Sequence, residues 1–302
     1  MAHFTPPGRE ARLAAIGPTN GLPTALRRAL EPDGFDPVPT PGPSDWLANH
    51  DEPGQTYEEF VRSRPNRPDA RRHTIYLQPL GEFVPGDSPP LDGLREFAAA
   101  FFALDVTALP AIAVTGGDVT TRRNPYTRQL QLLTTDILAL LRRRLPSDAY
   151  ALLGVTMEDL YPDPSWNFVF GQASLRHRVG VFSFARYDPR LSGDRSSGDR
   201  LALLLRRSCK VLAHEAAHMF GVAHCVFFHC LMNGSNHLDE SDARPLHLCP
   251  VDLRKLHYSI GFEVADRYRR IREVCERLGF ADEAQWLRAC LARIDTRGDE
   301  TA

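Results

Sequence analysis

Residues 214–225 read HEAAHMFGVAHC and place three histidines within one short segment. His214 and His218 are four residues apart, so on a helix their imidazoles project from one face, one turn apart. Gly221 can adopt the left-handed conformation that ends a helix and turns the chain back, which lets His224 supply a third ring nitrogen. The segment therefore requires a helix through the first two histidines and predicts a metal site at the end of that helix.

Three neutral imidazoles leave one position open on a zinc ion, where the pKa of a bound water falls towards about 7. Glu215 directly follows the first histidine. Its carboxylate can take a proton from that water and pass it to a leaving amine. These residues predict a catalytic zinc centre that hydrolyses peptide bonds. The glycine and the third histidine extend HExxH into the metzincin motif, which is far more specific than two histidines on a helix face.

The overall charge argues against two classes of partner. The formal net charge is -2 and the pI is about 6.6, so no basic field draws the chain onto nucleic acid or an anionic membrane. No apolar run approaches the roughly 20 residues that span a bilayer, and the N-terminus lacks the pattern of a secretory signal. We therefore expect a soluble intracellular protein in the cytoplasm, with the nucleus as a further location, and no nucleic-acid or membrane partner.

The chain contains six cysteines, and three of them lie close behind the histidines. In a reducing compartment a disulfide framework is not expected, so the cluster of Cys225, Cys230 and Cys249 indicates metal ligation. The other three lie in helix-like stretches and are interpreted as buried apolar side chains.

Composition divides the chain into three parts. Residues 1–70 contain 12 of the 24 prolines and are predicted to be an extended segment with short helical turns. Residues 71–270 alternate helical and strand-like patterns, which predicts one α/β domain. Residues 271–302 are expected to form a C-terminal helix and a polar tail.

Within the α/β domain, periodicity predicts individual elements. The stretch 126–148 is predicted to form one core-facing helix that Pro146 stops. Its shared face consists of Leu130, Leu133, Ile137, Leu140 and Leu141. Apolar runs predict strands over residues 73–80, 149–156, 166–174 and 179–187.

The residues after the third histidine extend the pattern. From Cys225 to Asp252 they read CVFFHCLMNGSNHLDESDARPLHLCPVD. This resembles the archaemetzincins, a metzincin-clan family of zinc metalloproteases in which four cysteines after the active-site motif bind a second, structural zinc. Further stretches are similar to the family: PSDWLANH at 43–50, GVTMEDLYPDPSWNFVFGQASL at 154–175, VGVFSFARY at 179–187 and LLRRSCKVLAHE at 204–215. The resemblance covers most of residues 43–270.

The resemblance implies a fold as well as a site. The expected fold is an α/β (α+β) metzincin-like zincin domain, with a mixed, twisted sheet and the active-site helix in an upper subdomain that runs to Gly221. A smaller, helical lower subdomain follows it. Residues 166–174 fall where the family has the edge strand that binds a peptide by strand addition, and their sequence equally fits an ordinary strand of the sheet.

The resemblance also implies roles for single residues. His214, His218 and His224 bind the catalytic zinc, and Glu215 is the general base. Met232 is the methionine of the Met-turn beneath the metal.

The chain departs from the family at the second zinc site. Where the family has Cys-x-x-Cys, this chain has CPVD, so Asp252 stands in place of the last cysteine. Zinc accepts a carboxylate ligand, so Cys225, Cys230, Cys249 and Asp252 make a reasonable, though harder, donor set. The sequence leaves three alternatives as the fourth ligand, namely His229, His247 and His257.

The leading hypothesis is therefore a zinc metallopeptidase that acts on peptides or unfolded protein, with the aminopeptidase-like activity associated with the family. It would carry one catalytic and one structural Zn²⁺. The alternative is a zinc-containing peptide- or protein-binding protein with little turnover. The sequence does not set the oligomeric state, and a monomer is the default expectation.

Overall fold

The structure, a computed structural model, describes residues 4–114, 117–192 and 199–295. The chain forms two compact units, one of Met1–Asn66 with Phe220–Ala302 and one of Arg67–Met219. The expected polar tail, residues 296–302, lies outside the described residues. The domain limits expected at residues 70 and 270 remain a prediction.

The described residues form these helices: α1 (Arg9–Ile16), α2 (Thr24–Ala29), α3 (Trp46–Asn49), α4 (Tyr57–Arg62), α5 (Leu91–Phe102), α6 (Thr134–Arg144), α7 (Pro189–Ser192), α8 (Arg200–Met219), α9 (Leu238–Ala243), α10 (Pro250–Ile260), α11 (Val264–Leu278) and α12 (Ala281–Asp295). The strands are β1 (Thr74–Leu80), β2 (Asp105–Ala108), β3 (Thr121–Arg123), β4 (Leu130–Leu133), β5 (Ala149–Thr156), β6 (Asp159–Tyr161), β7 (Gly171–Ser174) and β8 (Val179–Ser183).

A five-stranded sheet forms the centre of the Arg67–Met219 unit. Its order is β2-β1-β5-β8-β7, and all neighbours are parallel except β7, which runs antiparallel to β8. Strand β5, AYALLGVT, is buried throughout, because a parallel strand that is covered on both faces needs a continuous apolar run. The predicted α/β class with a mixed sheet is confirmed.

Three local predictions were wrong in part. The strand predicted over 179–187 ends at Ser183, and Ala185–Tyr187 forms a short 3-10 helix. The helix predicted over residues 126–148 begins only at Thr134, because Leu130–Leu133 forms β4 between β3 and β6. Backbone pairing on both sides of LQLL outweighs its helical periodicity. The strand predicted over 166–174 is confined to Gly171–Ser174, and the loop before it makes an isolated bridge between Leu160 and Val169.

The other unit is helical, as expected for the lower subdomain. Helices α11 and α12 pack against each other, and α2 packs against both. Helices α1 and α4 pack against α10. The proline-rich start of the chain thus contributes short helices to the same core as the C-terminal helices. Among the described residues, no helix is both long enough and apolar enough to cross a membrane.

Candidate metal centres

Helix α8 positions His214 and His218. Its apolar face is buried along its length, which fixes the helix in the core. The two Nε2 atoms lie 3.1 Å apart, and the rings meet edge to face with centroids separated by 4.7 Å. Two nitrogens bound to a tetrahedral zinc at about 2.0–2.1 Å lie about 3.3–3.4 Å from each other. The spacing of the two imidazoles therefore fits two ligands of one zinc ion.

The chain reverses directly after α8. Gly221 has a φ of 82°, a left-handed conformation that is costly for a residue with a side chain. His224 follows three residues later. One ring nitrogen from each of His214, His218 and His224 lies within 4.8 Å of the other two. The segment 214–224 therefore brings together the three imidazoles that the sequence predicted as ligands, and this donor set suits zinc.

Glu215 lies on α8, one residue after His214, with a partly exposed side chain. A one-residue step turns about 100° around the helix axis, so its carboxylate emerges beside the imidazole rather than above it. It is therefore available at the same end of the helix as the two histidines.

A carboxylate that the sequence analysis did not find contacts the third histidine. Glu52 Oε1 lies 2.7 Å from His224 Nδ1, and each side chain is 21% exposed. Burial alone would raise the pKa of Glu52, but the hydrogen bond and the charge of His224 outweigh burial and lower it. Because 172 positions separate the two residues, no local pattern could reveal the pair.

The three clustered cysteines and Asp252 form a second group. Cys225 Sγ lies 3.6 Å from Cys249 Sγ, and Asp252 Oδ2 lies 3.3 Å from Cys230 Sγ and 3.4 Å from Cys249 Sγ. On a tetrahedral zinc, two sulfurs lie about 3.8 Å apart and a sulfur and an oxygen about 3.5 Å apart. All four residues are at most 1% exposed. Their chemistry and spacing fit a closed zinc site, and the sulfurs are too far apart for a disulfide.

The histidines considered as alternative fourth ligands have other partners. The ring of His247 stacks on Trp286 at 3.5 Å, and its Nδ1 contacts Glu283 at 2.9 Å. His257 meets Phe262 edge to face. Within the described residues, Asp252 is the residue that groups with the three cysteines.

Lys255 is the counter-charge of this cluster. Its Nζ donates to Asp252 Oδ1 at 2.8 Å, and both side chains are at most 1% exposed. Burial raises the pKa of Asp252 to about 6, against the lowering effect of Lys255. Burial also raises the pKa of the Cys230 and Cys249 thiols. The cluster thus contains three thiols and one carboxyl group but only one lysine. A further cation at this position would stabilise the ionised forms of the four acidic groups.

Met232 lies in a tightly hydrogen-bonded turn and is fully buried. The Cys225 N–H donates to the Met232 carbonyl at 2.8 Å. Next to it, the Asn233 amide donates to the carbonyls of Cys225 and Phe228 and accepts from the Cys230 N–H. Asn233, which the sequence analysis did not single out, therefore joins the turn to the first two cysteines.

Comparisons with known proteins agree on one family. The profile of peptidase family M54 matches residues 136–258. Archaemetzincin-2 of Mus musculus is 37% identical, over 86% of this chain and 87% of its own length. Archaemetzincin-2 of Homo sapiens is 39% identical, over 82% of this chain and 76% of its own.

Solved structures of smaller archaemetzincins are also similar. One from Archaeoglobus fulgidus, complexed with malonate, is 28% identical with a TM-score of 0.46, and the match covers 60% of this chain and 99% of that one. One from Methanopyrus kandleri is 28% identical with a TM-score of 0.47, covering 64% and 97%. The family predicted from the sequence is confirmed by the identity to archaemetzincin-2 over most of both chains. The chain belongs to the archaemetzincins of peptidase family M54, and it is a zinc metalloprotease.

Proposed function

We propose that the chain hydrolyses peptide bonds at a zinc ion held by His214, His218 and His224. One observation carries this assignment, namely the approach of three ring nitrogens to within 4.8 Å of one another at the end of α8. Three imidazoles are a common protein ligand set of catalytic zinc.

Bound zinc supplies a Lewis acid for the scissile carbonyl and lowers the pKa of a water molecule. Glu215 then acts as the general base. Its carboxylate accepts a proton from the attacking water and donates that proton to the amine nitrogen as the C–N bond breaks.

The substrate we propose is a peptide or an unfolded protein segment. Strand β7 supports this choice, because it lies at the end of the five-stranded sheet and pairs only with β8 among the described strands. An extended peptide can bind such an edge by strand addition.

An aminopeptidase-like activity needs a group that binds the free amine, and Glu158, Asp159 and Asp163 are candidate carboxylates for this role. Asp159 is paired with Arg186, and Asp163 accepts two hydrogen bonds from Ser165. Burial raises the pKa of Glu158, with Arg123 opposing this effect. Hydrolysis of matched peptides with free and acetylated N-termini distinguishes aminopeptidase from endopeptidase activity.

We assign a structural zinc to Cys225, Cys230, Cys249 and Asp252. The test is metal analysis of the wild type, His218→Ala and Asp252→Asn, each purified without added zinc. The expected result is two zinc ions per wild-type chain and one in each variant. One zinc that is lost only with His218→Ala would refute the structural site, and no zinc in the wild type would refute both sites.

Glu215→Gln tests the mechanism. The amide cannot accept the proton, so peptide hydrolysis should fall by about 10²–10⁴-fold while the zinc content stays unchanged. Steady-state hydrolysis of a peptide mixture and metal analysis measure the two properties. If the wild type binds peptides and zinc but does not turn over, the chain is instead a zinc-containing binding protein.

A further inference from the structure

Residues 42–56, which we call the N-terminal strap, follow the loop of residues 221–240 along its length. They belong to the same compact unit as this loop. The contacts fall in three places, at the two ends of the strap and in its middle. Together they connect the strap to the segment that carries the third histidine.

At one end, a hydrogen-bonded clasp joins the strap to α9. The Glu240 N–H donates to His237 Nδ1 at 3.3 Å, so His237 Nε2 carries a proton and donates to Asp45 Oδ1 at 3.0 Å. The Glu240 carboxylate accepts from the Trp46 N–H at 2.9 Å and from the Asn236 N–H at 2.7 Å. Asp45, His237 and Glu240 have the donor types of a metal site, but their polar atoms already take part in these hydrogen bonds.

In the middle, Trp46 and Glu52 contact the ring of His224. The Trp46 ring lies directly on Gly234, where an added Cβ would be 2.4 Å from Trp46 Cδ1. It also meets the His224 ring edge to face, with centroids 5.2 Å apart. Glu52 accepts from His224 Nδ1 at 2.7 Å.

At the other end, Gln55 holds the turn that leads from the active-site helix. Its amide nitrogen donates to the Gly221 carbonyl at 3.3 Å, and its amide oxygen accepts from the Ala223 N–H at 3.1 Å. Gly54 lies so close to Val226 that an added Cβ would be 2.4 Å from its Cγ2. The strap thus contacts the backbone before His224, its ring, and the side chain two residues after it.

We propose that Glu52 is the positioning residue of the third zinc ligand. The N-terminal strap, which carries Glu52 and Trp46, therefore forms part of the catalytic centre. A carboxylate at Nδ1 keeps the proton on that nitrogen, leaves Nε2 as the metal-binding atom and raises its basicity. This inference rests on the proposed role of His224. It differs from a purely structural role because it predicts an effect on metal retention rather than on folding alone.

The test compares zinc release from Glu52→Ala, Glu52→Gln and Asp51→Asn. Asp51 is the matched control, because it is the neighbouring carboxylate and is exposed. Each zinc-loaded protein is mixed with excess chelating dye, and His218→Ala identifies the release phase of the histidine site. Glu52→Ala should release this zinc about 10–100-fold faster. Glu52→Gln should be intermediate, because its amide oxygen still accepts from Nδ1, and Asp51→Asn should match the wild type.

Two readouts separate the outcomes. In the Glu52 variants, zinc release from the cysteine site and the thermal midpoint should change little. In the wild type, ¹⁵N spectra of the histidine rings should report the Nδ1–H form of His224. Unchanged release from Glu52→Ala would overturn the inference alone. Equal acceleration at both sites would show a general loss of structure and overturn it too. If His218→Ala keeps both release phases of the wild type, the proposed catalytic site is refuted, and the inference with it.

Discussion

At the residue scale, each proposed metal centre pairs a ligand with a charged neighbour. Glu52 contacts His224 at 2.7 Å, and Lys255 contacts Asp252 at 2.8 Å. The carboxylate makes the neutral imidazole a better donor, whereas the lysine reduces the negative charge of a set rich in thiolates. In both proposed sites the neighbour would thus adjust the charge of the ligand set.

Gly234 is a residue whose identity is set by packing. An added methyl would meet the Trp46 ring at 2.4 Å, so Gly234→Ala should displace the indole and destabilise the chain by about 1–3 kcal/mol. Urea unfolding of this variant measures the change. Gly8→Ala is the control, because nothing lies within 4 Å of its added Cβ. Equal stability of both variants would contradict the close packing of Trp46.

At the element scale, the loop between β6 and β7 is fixed by buried polar groups. Arg186 binds Asp159 through two hydrogen bonds of 2.8 Å and stacks over Phe168 at 3.3 Å. Gln131 donates to both Asp159 and the Asn167 carbonyl at 2.8 Å. These contacts fix the backbone just before β7. We therefore expect them to help hold this strand of only four residues in place.

The pair of Arg186 and Asp159 should therefore be costly to break. Arg186→Ala leaves a fully buried carboxylate without its cation and should lower the free energy of unfolding by about 3–5 kcal/mol. Arg143→Ala removes an exposed ion pair with Asp118, whose charged atoms lie 3.8 Å apart. It should change the free energy of unfolding by less than about 0.5 kcal/mol. Denaturant unfolding of both variants makes the comparison. Similar losses would mean that Asp159 is solvated.

At the scale of the whole molecule, the helical unit is assembled from both ends of the sequence. Residues of its first part, such as Glu52, contact residues more than 170 positions away. The proposed structural zinc closes a smaller loop within it, from Cys225 to Asp252. Zinc that binds only the folded state adds its binding free energy to folding.

Removal of zinc should therefore destabilise the chain. With a strong chelator, the thermal midpoint of the wild type should fall by at least about 3 °C, as a loss of about 2 kcal/mol produces in a chain of this size. Asp252→Asn should start lower and respond less, because it lacks one of the two ions. Calorimetry with and without chelator provides the measurement. An identical shift in both proteins would place all of the zinc-linked stability at the histidine site.

The sequence by itself determined the elements and residues whose signals are local. The helix through His214 and His218, the glycine turn to His224 and the apolar strand β5 all follow from spacing within a few residues. The clustering of Cys225, Cys230 and Cys249 beside the histidines likewise indicated metal ligation, and the family resemblance then implied a structural zinc there. Such features are predictable because backbone periodicity and ligand spacing act over one or two turns of the chain.

Only the tertiary structure decided which distant groups meet. It grouped Asp252 rather than a histidine with the cysteines, brought Glu52 to His224, and made LQLL a strand between β3 and β6. In each case the local sequence permits several outcomes of similar free energy. The choice depends on burial, charge pairing and strand pairing with residues far along the chain, and these contacts exist only once the chain has folded.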